Sequence, residues 1–472
     1  MVPDWLHAPG YSLARLLLQR GLGLVYLIAF VNVLLQFRPL LGEQGLLPVP
    51  RYLAQVSFRE APSLFHARYS DRLLIAVAIV GIAASSAIVL GLPDGWPAPL
   101  AMAVWLVPWA LYLSVVNVGQ TFYSFGWEIL LLEAGFLAIF LGPAWTTVPA
   151  PLIYLFRWLL FRLEFGAGLI KLRGDRCWRD LTCLYFHHET QPMPNPLSWY
   201  FHRLPKPLHR LEVLGNHFAQ LVAPVLLLFP QPIAAFAGLA MAVTQLWLML
   251  SGNFSWLNLT TLVLTASAFS DAQLAHVLPL ARPVAVALAW HDWLCLALTA
   301  MVLVLSYRPA RNLLSREQVM NTSFEPLHLV NTYGAFGSIS RERVEVVVEG
   351  TADSNADASA TWLEYEFRGK PTDPMRRPRQ WAPYHLRLDW LMWFLPFSYL
   401  YASGWFPAFL SKLLENDPAT LRLLRKNPFS EPPRAVRAVL YRYRFTTWRE
   451  RRETGAWWMR TRMGEYAERA RD

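Results

Sequence analysis

Charged residues are scarce in this chain: 16% of its 472 residues are Asp, Glu, Lys or Arg, against roughly 25% in soluble domains. That scarcity excludes a disordered chain, a charge-rich coiled coil and a single soluble domain. Cysteine is scarce too, with three residues, which rules out a disulfide scaffold and leaves room for at most one internal bridge. The motifs of familiar chemistry are missing: there is no GxSxG, Walker loop, GxGxxG, HExxH or CxxC, so hydrolase, nucleotide-binding and protease readings lack support and no cofactor is implied. No nucleic-acid motif accompanies the net charge of +10. The Arg and Lys residues fall in loops and in the last hundred residues, where membrane headgroups account for them better than DNA or RNA. What the chain has in abundance is apolar and aromatic residues, 54% and 14%, the composition of a polytopic protein embedded in a lipid bilayer.

A hydrocarbon core of roughly 30 Å needs about 20 apolar residues of helix. Runs near that length occupy 13–37, 73–92, 99–118 and 126–141. Next comes 148–172, interrupted by charge, and then 211–229, 232–250, 254–269 and 284–307. The run 254–269 is short enough to be re-entrant, so the expectation is a mainly α bundle of about eight spans over residues 1–307. No basic n-region precedes 13–37, so that run serves as its own insertion signal. Cys295 lies in the last run and reads as a small buried hydrophobe.

Beyond residue 308 the pattern changes. ERVEVVVE (342–349) and TWLEYEFR (361–368) alternate with strand period around a polar tip at 350–358, which predicts a hairpin in a small, water-exposed, β-containing domain over 308–472. Residues 390–410 are uncharged but carry Pro396, Pro407 and three Trp. They read as an aromatic surface lying on the membrane or on the hairpin domain in preference to a further crossing. The stretch 440–472 mixes Arg, Glu and aromatics and reads as a solvated helix. Positive charge concentrates at Arg38, Arg51, Arg59, Arg68 and Arg72, in 173–210 and after Tyr307, and the positive-inside rule would place those loops in the cytoplasm.

The segment RWLLFRLEFGAGLIKL (157–172) puts Arg157, Arg162, Glu164 and Lys171 in or at the edge of the bilayer. Each such charge costs about 2.5–3.5 kcal/mol at mid-membrane on insertion scales, so each needs a partner or a wet cavity. Arg157, Glu164 and Lys171 recur every seven residues and share a helix face, but seven residues of helix span about 10 Å. Partners must therefore come from neighbouring helices, with Glu128, Glu133 and Glu212 the candidates. The bland account is a buried ion network with Gly166 and Gly168 allowing close packing. The functional account is a cavity in which desolvation lets Lys171 act as a base.

The following loop, 173–210, is rich in Pro, His, Trp and Arg. Cys177 and Cys183 can pair only if the loop faces an oxidising compartment. His187, His188, His202 and His209 invite a metal, but adjacent histidines do not share a helix face and no HxxxH spacing occurs, so no metal is expected. Three Asn-x-Ser/Thr triplets, at Asn253, Asn258 and Asn321, read as chance.

FGAGLIKLRGDRCWRDLTCL, ETQPMPNPLSWYFHRLP and RLEVLGNHFAQL closely resemble the lipase maturation factor family. NTYGAF, RERVEVVVEG, WLEYEF and WAPYHLRLDWLMW resemble the C-terminal domain of the same family. The resemblance implies a multi-pass membrane protein that, in animals, resides in the endoplasmic reticulum and assists folding and assembly of secreted dimeric lipases, a chaperone-like role without catalysis. For a prokaryotic chain the corresponding site is the cytoplasmic membrane. It also implies that the loop and the C-terminal domain face the lumen, against the charge count, which makes Cys177 and Cys183 disulfide-competent and offers Trp178, Trp199, Tyr200 and His202 to a secreted, lipase-like client. A shorter likeness, through Gly168, Lys171, Leu172 and Trp178, is to the transmembrane domain of vitamin K-dependent gamma-glutamyl carboxylase. It implies an alternative in which Lys171 is the base acting on a lipid-like quinol, assisted by His187.

Overall fold

The computed structural model describes residues 3–280, 284–354 and 359–470. Met1 and Val2 of the N-terminal segment, 355–358 of the polar tip and the last two residues of the 440–472 stretch lie outside the described residues.

In chain order the first part contains α1 (Ser12–Leu41), α2 (Asp71–Leu90), α3 (Ala98–Asn117), α4 (Gly126–Ile139), α5 (Ala150–Arg173), α6 (Leu184–Thr190), α7 (Lys206–His217), α8 (Ile233–Ser251), α9 (Leu257–Thr265) and α10 (Ala289–Leu305). Five of these, α1, α2, α3, α8 and α10, belong to helices long and apolar enough to cross a bilayer. The expected eight spans therefore hold only roughly, and the shortfall has local causes. Helix α4 has 14 residues. Helix α9 ends after one further 3-10 turn. The run 211–229 is divided among α7, a π turn at Phe218–Val222 and a short helix at Ala223–Leu226. Helix α5 has the length, 24 residues, but carries the four charges.

Local chemistry sets the helix ends. Ser70 caps α2 by accepting from the Leu73 amide at 3.1 Å, and Gly91 closes it at φ +80°, a conformation that favours glycine. The two ends of α1 then sort the molecule. Its first turns meet Asp271, Ala144, Thr146 and Asp94 through Leu13, Arg15 and Arg20. Its last turns, through Asn32, Gln36 and Arg38, meet the carbonyl of His385 and the carboxylate of Asp71. The C-terminal region thus docks on the end of the bundle where α1 stops and α2 begins.

That region is built on a four-stranded antiparallel sheet in the order β2-β1-β3-β4. The strands are β1 (Arg343–Thr351), β2 (Leu363–Glu364), β3 (Ala435–Phe445) and β4 (Trp458–Ala470). The predicted hairpin is present as β1–β2, but β2 pairs only through Glu364 and Leu363, and the long partner of β1 is β3. The expectation of a helix over 440–472 is corrected: these residues complete β3, form one short helix at Trp448–Thr454 and run back as β4. The reason is a period of two in YRYRF, where Tyr443 and Phe445 are buried and Arg442 and Arg444 point to water. Strand β4 is an edge strand, and its Arg and Glu residues are the charges that protect such an edge from pairing with another chain. Residues 390–410 break into α11 (Arg387–Met392), two 3-10 turns and the start of α12 (Trp405–Leu414). Helix α12 lies against β3 and β4, burying Trp405 and Phe409.

Candidate functional site

The charges of α5 each find a different solution. Arg157 donates to the carbonyls of Ser267 (2.9 Å) and Leu227 (3.2 Å) and to the Tyr11 hydroxyl (2.9 Å). Arg162 pairs with Glu133 and donates to the carbonyl of Asn331 at 2.6 Å. Glu133 also accepts from the Tyr333 hydroxyl (2.7 Å) and the Asn331 amide (2.9 Å), so the segment carrying NTYGAF is drawn into the bundle. Gly166 is what lets it in: a Cβ there would stand 2.5 Å from the Tyr333 carbonyl oxygen.

Glu164 and Lys171 are too far apart for direct contact along the helix, yet Gln220 joins them. It accepts from Lys171 Nζ at 2.6 Å and donates to Glu164 at 3.0 Å. Gln245 donates to the other oxygen of Glu164 at 2.6 Å and accepts from Asn258 at 2.7 Å. A buried carboxylate is thus ringed by amide donors, which offsets part of its desolvation. Of the three expected partners of α5, Glu133 reaches an arginine of that helix. The other two are corrected. Glu128 pairs with Arg387 at 2.7 Å, because the C-terminal region brings that guanidinium into the bundle. Glu212 accepts from His209 (2.8 Å) and Trp247 (2.9 Å), one on each of its oxygens, so it lines the same cavity as Lys171 without pairing with α5. Asn253 and Asn258 are buried, which makes them structural hydrogen-bonding groups out of reach of glycosylation.

Between α5, α7, α8 and residues 333–338 lies a cavity of about 570 Å³, within the range of small-molecule sites. Glu164, Lys171, His187 and Trp247 are among its walls, together with Phe254 and Trp390. Lys171 also lies over the Trp178 ring, 5.0 Å from its centroid. His187 stacks on Phe254 with 6° between the planes, and burial pushes its imidazole down to about 3, so it is neutral at physiological pH. The two residues of the quinol alternative therefore share one cavity.

Cys177 and Cys183 form a disulfide, with Cα atoms 4.8 Å apart. The loop around it is fastened to the C-terminal region by contacts along its whole length. Trp178 donates to the Phe336 carbonyl at 2.8 Å, Arg341 pairs with Asp175 at 2.8 Å, and Arg343 on β1 donates to the carbonyls of Glu189 and Pro192 at 2.8 and 3.0 Å. Trp199 donates to the Thr446 carbonyl at 2.9 Å and packs edge-on against Trp448. His202 stands 3.6 Å from Glu189, and burial pushes its pKa down to about 3. Trp178 and Trp199 are consumed by these internal contacts, at 4% and 0% exposure, while Tyr200 and the neighbouring Trp448 stay open, at 40% and 51%.

Residues 13–276 match the family described as lipase maturation factor transmembrane domain, and residues 329–468 match the lipase maturation factor C-terminal domain. This chain belongs to the lipase maturation factor family. It is 42% identical to lipase maturation factor 1 of Bos taurus over 510 residues, covering 98% of this chain and 90% of that one. Against lipase maturation factor 1 of Homo sapiens the identity is 42% over 523 residues, covering 98% and 89%. Against lipase maturation factor 2 of Xenopus laevis it is 27% over 593 residues, covering 97% and 82%. No solved structure matches the chain. These matches give no support to the carboxylase-like alternative.

In this lipase maturation factor homologue the docking residues Arg387, Asn331 and Tyr333 escape a reading of the sequence, since nothing in WAPYHLRLDWLMW or NTYGAF marks them as intrusions into a bundle. The disulfide is the part of the site most open to test. Closing a loop of this size restrains the unfolded chain by about 2 kcal/mol, so Cys177→Ser with Cys183→Ser should lower stability by about that amount. Thermal unfolding of the purified chain with and without reductant measures it. An unchanged transition would mean that the contacts of Trp178, Asp175 and Arg343 alone hold the loop.

Proposed function

We propose that this chain is a membrane-resident folding factor that assists the maturation of secreted lipases. The observation carrying this reading is the 42% identity to lipase maturation factor 1 proteins along 98% of the chain. Two features of the fold agree with it. The loop with its disulfide and the C-terminal sheet form one packed unit on one end of the bundle, and a disulfide belongs in an oxidising compartment. That unit therefore works on the non-cytoplasmic side, which is the lumen of the endoplasmic reticulum in a eukaryotic host and the outer side of the cytoplasmic membrane in a bacterial one. A client still folding exposes apolar surface, and the open aromatics Tyr200 and Trp448 offer it a complementary patch.

Co-expression with a secreted dimeric lipase in a host lacking its own maturation factor tests the reading. Secreted lipase activity per unit of lipase protein should rise at least fivefold when this chain is present. Replacing Tyr200 and Trp448 together by Ser should remove most of that gain while the chain itself accumulates normally. Equal specific activity with and without the chain would reject the function.

A further inference from the structure

The strongest unassigned cluster lies where the loop meets α7. His188 on α6 and His209 and Glu212 on α7 each present one ligand atom, and the three atoms lie within 4.8 Å of one another. His209 and Glu212 are three residues apart on one helix, a spacing that puts both side chains on the same face. His188 comes from the other side of the disulfide-bearing loop, and its ring centroid is 5.6 Å from that of His209. All three are buried or nearly so, with side-chain exposures of 3%, 2% and 9%.

The hydrogen bonding of the cluster is incomplete in a telling way. Neither ring nitrogen of His188 has a hydrogen-bond partner, and His209 Nε2 has none either. Buried imidazole nitrogens are almost always satisfied, and leaving one unpaired costs free energy. Glu212 Oε2 lies 3.8 Å from His188 Nε2 and accepts from His209 Nδ1 at 2.8 Å. Its other oxygen is held by the Trp247 indole at 2.9 Å, the kind of outer contact that fixes a ligating carboxylate. Two imidazoles and one carboxylate are the donor set of a zinc-class ion, since calcium and magnesium take all-oxygen shells of six or more. Ligand bonds of about 2.0–2.1 Å put the corners of a tetrahedral site roughly 3.4 Å apart, so side-chain rotations of about an ångström close the cluster on an ion.

We propose that His188, His209 and Glu212 bind one divalent transition-metal ion of the zinc class, with its fourth position open to the cavity. His188 and Glu212 are themselves cavity walls, so a water, carboxylate or thiolate entering from that side completes the tetrahedron. The ion takes one nitrogen from each imidazole, which relieves one of the two orphaned nitrogens of His188, and it ties α6 to α7 across the loop.

The test uses the full chain, purified in detergent without a histidine tag and stripped by a chelator, with cobalt(II) as the probe. One equivalent of cobalt should bind per chain with the intense visible absorption of a tetrahedral site, and zinc should displace it. Glu212→Gln, which preserves shape, and His188→Ala with His209→Ala should each weaken binding at least tenfold. His276→Ala, at an exposed position, should bind as the parent does. Thermal unfolding of each stripped variant shows whether it is folded. Absence of stoichiometric binding by the parent chain overturns the proposal, as does binding by folded Glu212→Gln that equals the parent's.

Discussion

Arg387→Gln should release the C-terminal region from the helical bundle and lower stability by about 3–5 kcal/mol, the usual cost of breaking one partner out of a buried ion pair. The guanidinium of Arg387 and the carboxylate of Glu128 are both fully buried and 2.7 Å apart. Arg387 also donates to the Phe122 carbonyl at 2.7 Å and to Asn32 at 2.8 Å, and it lies over the Tyr123 ring. Its backbone amide is held by Gln36 at 3.1 Å. Glu128 accepts further from Tyr112 and Trp127. One side chain from the C-terminal region thus ties together α1, α4 and the turn before α4, and the glutamine leaves Glu128 as an uncompensated buried charge. Thermal unfolding in detergent with limited proteolysis reads the effect, and the segment around α11 should become the first site of cleavage. Arg387→Met with Glu128→Gln should recover much of the loss, because no buried charge remains. A single variant with the parental transition and cleavage pattern would contradict this account of docking.

Arg343→Met should have an effect of comparable size, about 3–5 kcal/mol, but confined to a different junction. Glu345 is fully buried between Arg343 at 2.5 Å and Lys370 at 3.0 Å, so removing the arginine leaves one cation for a carboxylate that had two. The same guanidinium holds the carbonyls of Glu189, Gln191 and Pro192, and these are the fastening of the disulfide-bearing loop to β1. Hydrogen exchange should therefore rise in residues 184–202 while α1 to α4 keep their protection. Arg343→Lys should rescue little, because an ammonium cannot present the forked donors that reach three carbonyls and a carboxylate at once. Full protection of the loop in Arg343→Met would show that Trp178 and Trp199 suffice to hold it.

These two residues mark where a reading of the sequence stops. The apolar runs are legible because bilayer thickness sets their length, and the α5 charges are legible because charge is costly there. The Arg162–Glu133 pair follows directly from that cost. Arg387 is illegible for the opposite reason: it sits among polar and aromatic residues at a place that looks exposed, and only the tertiary fold carries it into the bundle. The linking role of Gln220 is hidden in the same way, since a neutral amide gives no charge signal. Strands β3 and β4 are hidden together: the period of two in YRYRF covers only five residues, and the Arg and Glu of the edge strand β4 give 440–472 the composition of a solvated helix. His209 and Glu212, three apart, share a helix face, but His188 lies far from them in the sequence and only the fold brings it beside them.

The central claim is that the disulfide loop and the C-terminal sheet form one unit on the non-cytoplasmic side of the membrane. Arg449→Cys tests it most directly: the side chain is 87% exposed on the short helix between β3 and β4, Cys295 is buried, and the other two cysteines are joined. The account predicts labelling by a membrane-impermeant maleimide on intact spheroplasts of a bacterial host expressing the chain. Labelling that appears only after lysis would place the unit in the cytoplasm and contradict it.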